Sequence, residues 1–403
     1  MDDVEMTVGQ RIKLARTRAR KTRAVIGGLV GKSEGWVKAV ETGRLLPPRL
    51  PDLARIARAL KVPLAELAGD VAVREELIAG PGHTALPAVR EALNRYPLTV
   101  AAEPQPLAHI AARLDGAWRA RHASPEHRTV LGRLLPDLIH DAQVAARQHE
   151  GAARRRAQAV LADVLGLTQM FVAYQPDPAL LWRVAERAMI AAQDSGDLHA
   201  IAGATWFLME AHRDSGDWDA AMGINLDALR LLEPRLGDAD DDLRALFGAL
   251  QAGAAFTAAR AGEEGRAWRH WDVADRVARR LPDGYHQRWT WFSPPVVGFY
   301  AVSIGVELRK GGEALRHARR TPPESITSRP RRARHLIEVA RAHQLRREPE
   351  AVLGVLGEAY ATAPETIRWN GYARQMTFDL LRTGPQELRR SAADLAMRIG
   401  IAA

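Results

Sequence analysis

The sequence predicts an all-α protein, in which a compact five-helix unit at the N-terminus is followed by a long array of helix pairs. Three observations carry this expectation. Apolar residues recur at steps of three and four, without the strict alternation of a half-buried strand. Ser, Thr and Asp stand where helices would begin, and glycine where they would end. Phrases of a turn followed by alanine-rich sequence return along the second half at spacings near those of helical repeats.

Composition sets the frame. With 403 residues, 47% hydrophobic and 26% charged, the chain has material for two or three domains with full cores. It has no cysteine, which excludes disulfides, a thiolate nucleophile and a cysteine zinc site. Residues 1 to 8, with Asp2, Asp3 and Glu5, lack the basic start and apolar core of a signal peptide, and no run reaches the roughly 18 apolar residues of a membrane span. A cytoplasmic protein without membrane contact is expected. The net charge of +9 is unevenly placed: from Gly9 to Lys61 fourteen Lys and Arg face three acids, a local excess of +11. A basic unit on a nearly neutral body suits the phosphate backbone of double-stranded DNA, where counterion release supplies affinity independent of sequence.

Within that basic unit each helix has a start and a stop. Ile12, Ala15 and Ala19 mark the inner face of the first helix. Thr22 caps the second, in which Val25, Ile26, Leu29 and Val30 are expected to supply the buried stripe and Gly31 ends it. Ser33 caps the third. Val37 and Val40 turn inward there, leaving Glu34, Gly35, Trp36 and Lys38 to face outward; Trp36 fits equally as a base or sugar contact or as an edge-of-core residue. Gly43, Pro47 and Pro48 make a turn, Leu53, Ile56, Ala57 and Leu60 a fourth amphipathic helix, and Val62-Pro63-Leu64 opens a short fifth one ending near Gly69.

The segments GQRIKLARTRARKTRAVIGGLVGKSEGWVKAVETGR and LPDLARIARALKVPLAELAGD resemble an XRE-type, lambda-repressor-like helix-turn-helix domain. The resemblance implies that the third helix enters the major groove, with Glu34, Gly35, Trp36 and Lys38 at base edges just after the Ser33 cap, and Thr22, Arg23 and Arg44 at the backbone. Two positions depart from the family pattern, Arg23 where glutamine is usual and Gly27 where alanine is usual. Gly27, Gly28 and Gly35 in helical positions each cost roughly 0.8–1 kcal/mol relative to alanine.

Residues 71–106, punctuated by Gly80-Pro81-Gly82, Pro87, Pro97, Pro104 and Pro106, read as a linker with one helix around Ala88 to Tyr96, between an N-terminal domain of residues 1–70 and a repeat domain of residues 107–403. In the latter, the turns Ser195-Gly196-Asp197 and Ser215-Gly216-Asp217 separate three helices. Similar turns follow at Ala261-Gly262, Gly311-Gly312, Glu348-Pro349 and Gly384-Pro385, an irregular array near the roughly 34-residue tetratricopeptide period. A tetratricopeptide-like α-solenoid with a concave groove is the expected product. The phrases FSPPVVGFYAVSIGVEL, GGEALRHA, RRARHLIEVARAH and EAVLGVLGEAYATAPETIR resemble the C-terminal region of XRE-type regulators from high-GC bacteria.

No catalytic residues emerge, because the thirteen histidines form no metal or acid–base constellation and no P-loop or G-x-S-x-G is present; no cofactor or metal is implied. Aromatics cluster between Trp268 and Tyr300. The packing alternative apart, Trp268, Trp289, Trp291, Phe292 and Tyr300 are the candidates to line the groove and hold a peptide or small-molecule effector. Three asparagines in the whole chain speak against a site that grips peptide backbone. The basic run Arg329, Arg331, Arg332, Arg334 reads as a solvated turn rather than a seat for an acidic partner. Together these features predict a homodimeric DNA-binding transcriptional regulator, with a protein-interaction adaptor carrying a degenerate DNA-binding domain as the alternative.

Overall fold

The computed structural model describes residues 6–45, 48, 50–62, 66–67, 82–98 and 103–401. The turn at Pro47, most of the expected fifth helix, and residues 71–81 and 99–102 lie outside them. Among the described residues there is no strand. The N-terminal domain consists of α1 (Val8–Arg18), α2 (Arg23–Val30), α3 (Glu34–Glu41) and α4 (Leu50–Leu60). Its helix starts follow from capping chemistry. The Thr7 hydroxyl accepts from the Gln10 amide in a reciprocal capping box, Thr22 from Val25, and Ser33 from Trp36, so backbone donors without an intrahelical partner are satisfied at each entry. Gly31 ends α2 at φ 70°. Ile12, Ile26, Val30, Val37, Val40, Leu53, Ile56 and Leu60 close a core, joined by Leu67 from the expected fifth helix.

The remaining chain continues as α5 (Leu86–Asn94), α6 (Leu107–Ala123), α7 (His127–Gln148), α8 (Gly151–Val172), α9 (Pro178–Ser195), α10 (Leu198–Asp214), α11 (Trp218–Leu232), α12 (Asp241–Arg260), α13 (Glu264–Ala278), α14 (Pro294–Glu307), α15 (Gly311–Arg320), α16 (Arg329–Leu345), α17 (Pro349–Thr362), α18 (Pro364–Arg368), α19 (Gly371–Thr383) and α20 (Gln386–Arg398). Neighbours pack pairwise, and the repeated Ser-Gly-Asp phrase explains the turns. Gly196 and Gly216 take φ of 67° and 79°, and Asp197 and Asp217 then cap the next helix by accepting from Ala200 and Ala220. The α5 helix, expected within a linker, buries Leu86, Val89 and Leu93 in the same core as Ile110, Leu131 and Leu135. The packed array thus begins upstream of Leu107. Arg329 to Arg334 form the first turns of α16 and not a solvated turn.

The array winds until its first helices meet its last. The Glu365 carboxylate at the start of α18 accepts from the Arg128 backbone N–H at 2.5 Å, from the Thr129 backbone N–H at 3.2 Å and from the Thr129 hydroxyl at 2.5 Å, all at the start of α7. His127 Nε2 lies 3.1 Å from the Thr366 hydroxyl. One turn earlier, His122 on α6 bonds Ser328, at the entry of α16, at 2.7 Å, and its other ring nitrogen lies 3.1 Å from the Arg288 carbonyl. These contacts turn the expected open groove into a partly enclosed space.

Burial pushes the Glu365 carboxyl upward, yet hydrogen bonds from His83, Thr129 and the α7 backbone outweigh it and hold the group below its ordinary value. Its contribution is therefore complete above the ordinary carboxylate pKa and lost as pH falls through the depressed one. Glu365→Ala, which strands buried backbone donors, should destabilise the protein by about 3 kcal/mol near neutral pH. In denaturant titrations the gap to wild type should narrow as pH falls below the ordinary carboxylate range; a gap independent of pH contradicts the latch.

Candidate functional site

On α3, Glu34, Gly35 and Lys38 are exposed and form one stripe with the C-cap Thr42, with Gly31 and Ser33 at its head and Arg44 at its foot. Thr22 is exposed at the start of α2, and Arg23 is half-buried. Trp36 does not join this stripe. It is only 5% exposed and belongs to the buried cluster of the domain, which Trp218 of the array joins. Arg23 is likewise partly engaged: its Nε donates to Glu41 at 2.7 Å, and Arg16 Nε donates to the other carboxylate oxygen at 2.5 Å. Burial alone would raise the Glu41 carboxyl, but the two guanidinium hydrogen bonds hold it below its ordinary value. Glu41 thus ties the ends of α1, α2 and α3 together.

Gly27 also has a reason that the sequence does not show. A Cβ there would lie 2.5 Å from the Lys32 carbonyl oxygen, so alanine at this position requires the α2–α3 turn to move. Gly28 and Gly35 have no such crowding; nothing at either comes closer than 3.8 Å.

The opposite edge of α3 sits on the array. Trp218, at the start of α11, is counted into the N-terminal core, and Lys32 Nζ lies 5.2 Å from its ring centroid and 5.6 Å from that of Trp36. Lys32 is buried, with Asp52 Oδ1 at 3.8 Å; desolvation lowers its pKa against the pull of Asp52 and Asp217. Asp52 in turn packs on Gly216, where a side chain would collide with its carboxylate at 2.2 Å. Arg260, at the end of α12, covers Trp218 at 4.6 Å.

Arg260 also lines a cavity of about 150 Å³ enclosed by the array, together with five other arginines, Arg121, Arg128, Arg213, Arg331 and Arg334. Trp206, Phe256, Phe299 and Tyr300 supply apolar wall, and Glu210 and Asp214 are the lining acids. Of the five aromatics expected at a ligand, only Tyr300 lines this space. Phe292, 1% exposed, presses on Gly248, and Trp289 presses on Gly203. Trp268 packs against Trp271 and His317. Trp291 sits between His122 and His286, 3.9 and 3.7 Å from their ring centroids, and donates its indole N–H to Thr327 at 3.1 Å. These four are packing residues: the Pro-broken loop that carries three of them bridges helices instead of facing inward. The arginines were missed in the sequence, being spread from α6 to α16; the signal was the basic run at Arg331 and Arg334.

Residues 7–68 match the family described as a helix-turn-helix domain. No curated protein matches the chain. Among solved structures, a Rap protein complexed with competence and sporulation factor is similar at 11% identity and a TM-score of 0.45, covering 90% of this chain and 100% of that one. PlcR of Bacillus thuringiensis, solved with the peptide PapR7 and DNA, is similar at 10% identity and a TM-score of 0.30, covering 88% of this chain and 98% of that one. The class defined by sequence and fold is thus a helix-turn-helix domain carried on a helical array.

Glu41→Gln keeps the volume and removes the charge that Arg16 and Arg23 share. It should cost about 2–3 kcal/mol, less than a fully buried pair because both guanidiniums reach solvent. Hydrogen exchange should quicken at the amides of α1 to α3 and not at those of α7; equal quickening in both would show that Glu41 is not a local tie.

Proposed function

We propose that this protein is a sequence-specific, DNA-binding transcriptional regulator that acts as a homodimer and responds to an effector held by its helical array. The observation that carries the DNA reading is the exposed stripe on α3, headed by the Ser33 cap and surrounded by the +11 excess between Gly9 and Lys61. In this reading Glu34, Gly35 and Lys38 meet base edges in the major groove, and Thr22, Ser33 and Arg44 meet backbone phosphates. Arg23 keeps its Nη groups for a phosphate while Nε holds Glu41. Trp36 is left out of the reading head, since its indole serves the core and the docking edge.

Among the described residues no helix is long and apolar enough to cross a membrane. Catalysis is not part of the reading.

Lys38→Ala should relax sequence preference by about 1–3 kcal/mol per contacted base. Arg44→Ala should weaken binding about equally on all sequences and lower the salt slope by about one. Both are read by titrating the full chain onto selected genomic fragments at several salt concentrations. Identical behaviour of the two variants removes this assignment of roles, and no DNA binding at low salt favours a protein-interaction adaptor.

One domain of this size reads one half-site, and useful operator affinity comes from two copies about one helical turn apart. Sedimentation of the full chain should therefore give a two-chain particle, and footprinting two half-sites about 34 Å apart. A monomer protecting a single half-site contradicts the dimer.

A further inference from the structure

We propose that the cavity of the array binds a small molecule carrying an oxyanion, a carboxylate or a phosphate, beside an aromatic or apolar group. This rests on the effector half of the reading above and is independent of the DNA half.

The first observation is how this protein treats its other buried arginines. Arg341 is held between Glu307 and Glu338, at 3.0 and 2.6 Å. Arg213 pairs with Glu210 and donates to the Gly253 carbonyl at 3.1 Å, and Arg374 donates to the Ile399 carbonyl at 2.7 Å. Arg260 has Glu307 at 3.6 Å, and Arg128 donates to the carbonyls of Met170 and Phe171. Arg121 is different. It is 8% exposed, and among the described residues its one hydrogen-bond partner is the Met170 sulfur at 3.1 Å, while Nε and Nη1 meet no acceptor. A guanidinium stays charged at neutral pH, so an unneutralised one at such a position is costly. Burial, with Arg331 and Arg128 nearby, pushes its pKa well below the ordinary value, which is the same cost expressed as proton affinity.

The second observation is the sign of what else is unpaired. Around the same cavity Arg128 Nε, Arg331 Nε, Arg334 Nη1 and the Trp206 indole N–H are buried donors that find no acceptor among the described residues. One of these side chains is satisfied at its other end: Arg334 pairs with Glu338. Against these donors stands Gln169 Oε1 as an acceptor without a donor. A wall that offers N–H groups and positive charge suits a ligand that supplies acceptors and negative charge, and it repels cations. The apolar share of the ligand would meet Trp206, over which Arg331 lies at 5.4 Å, and Phe256 and Tyr300.

Size and asparagine usage favour a small molecule over a peptide. A cavity of about 150 Å³ has room for about one aromatic ring and its substituents. The three asparagines are engaged within the fold: Asn94 accepts from Arg183, Asn225 donates to the Leu250 carbonyl, and Asn370, on the cavity wall, caps α19. None is free to grip a peptide backbone on both edges.

The test uses the full chain without DNA, with phenyl phosphate and benzoate as anionic probes, benzylamine as the cationic isostere, and a short polyglutamate peptide. At least one anionic ring should raise the melting temperature with the logarithm of its concentration, as binding to the native state alone requires. Which of the two does so identifies the oxyanion. Benzylamine should have no effect. Arg121→Met, which replaces an uncompensated charge by an apolar side chain, should abolish that shift while leaving the unliganded protein as stable or more stable. Arg331→Gln should weaken the same probe at least about tenfold without unfolding the chain.

A purely structural Arg121 predicts the reverse, a destabilised Arg121→Met that still responds to the anion, and that result overturns the proposal. Stabilisation by benzylamine, or by polyglutamate where both rings fail, also overturns it while keeping the array a ligand domain. An anion response in a protein that binds no DNA supports the site and removes only the DNA reading.

Discussion

The acceptance of three hydrogen bonds by one carboxylate, Glu365, from the first turn of α7 is the constraint on which the rest of the array depends. Helix pairs joined by short turns stack with a small rotation per pair, which by itself gives an open superhelix with a concave face. Here residues more than 230 positions apart are brought into contact, so the rotation runs until the array touches itself. The consequence is electrostatic as much as geometric. Side chains that would have kept their guanidinium groups in water along a groove are enclosed, and the effective dielectric around them falls.

Enclosure makes the pairing of each charge consequential, and the array shows two outcomes side by side on α16. Toward α14, Arg341 lies between two buried carboxylates, whose attraction outweighs desolvation and raises its already high proton affinity. Toward α6 and α8, Arg331 faces Arg121 and loses proton affinity through burial. One helix thus carries a neutralised seam on one side and an unneutralised one on the other. A buried ion pair broken on one side typically costs several kcal/mol, whereas hydrophobic replacements of similar volume are often neutral.

What was legible in the sequence follows from the range of the interactions. The N-terminal domain could be read because its determinants are local: Thr22 and Ser33 cap the helices that they precede, and Gly31 takes the positive φ that ends α2. The helical character of the array was legible for the same reason. Closure was not, since nothing near Glu365 announces Thr129. Trp36 was ambiguous at three-residue spacing, because the buried cluster that it joins includes Trp218, far away in sequence. The aromatic cluster misled for a related reason. Composition shows that Trp289 and Phe292 will be buried, but not whether they face a cavity or, as happens, the glycines at 203 and 248. Gly27, which looked like a weakening of its helix, is required by the nearness of Lys32.

One side chain belongs to both halves of the molecule. Arg260 lines the cavity, pairs with Glu307 and lies over Trp218, whose ring also faces Lys32 in the turn before α3. Phe256, on the same helix and also on the cavity wall, lies 5.8 Å from the Arg260 guanidinium. Between the cavity and the turn before α3 there is thus one cation stacked on one indole. A ligand acceptor that drew Arg260 inward would lift it from Trp218 and loosen the seat of Lys32 and Asp52. By thermodynamic reciprocity, DNA that favoured a different seating of α3 would change the affinity of the cavity by the same factor.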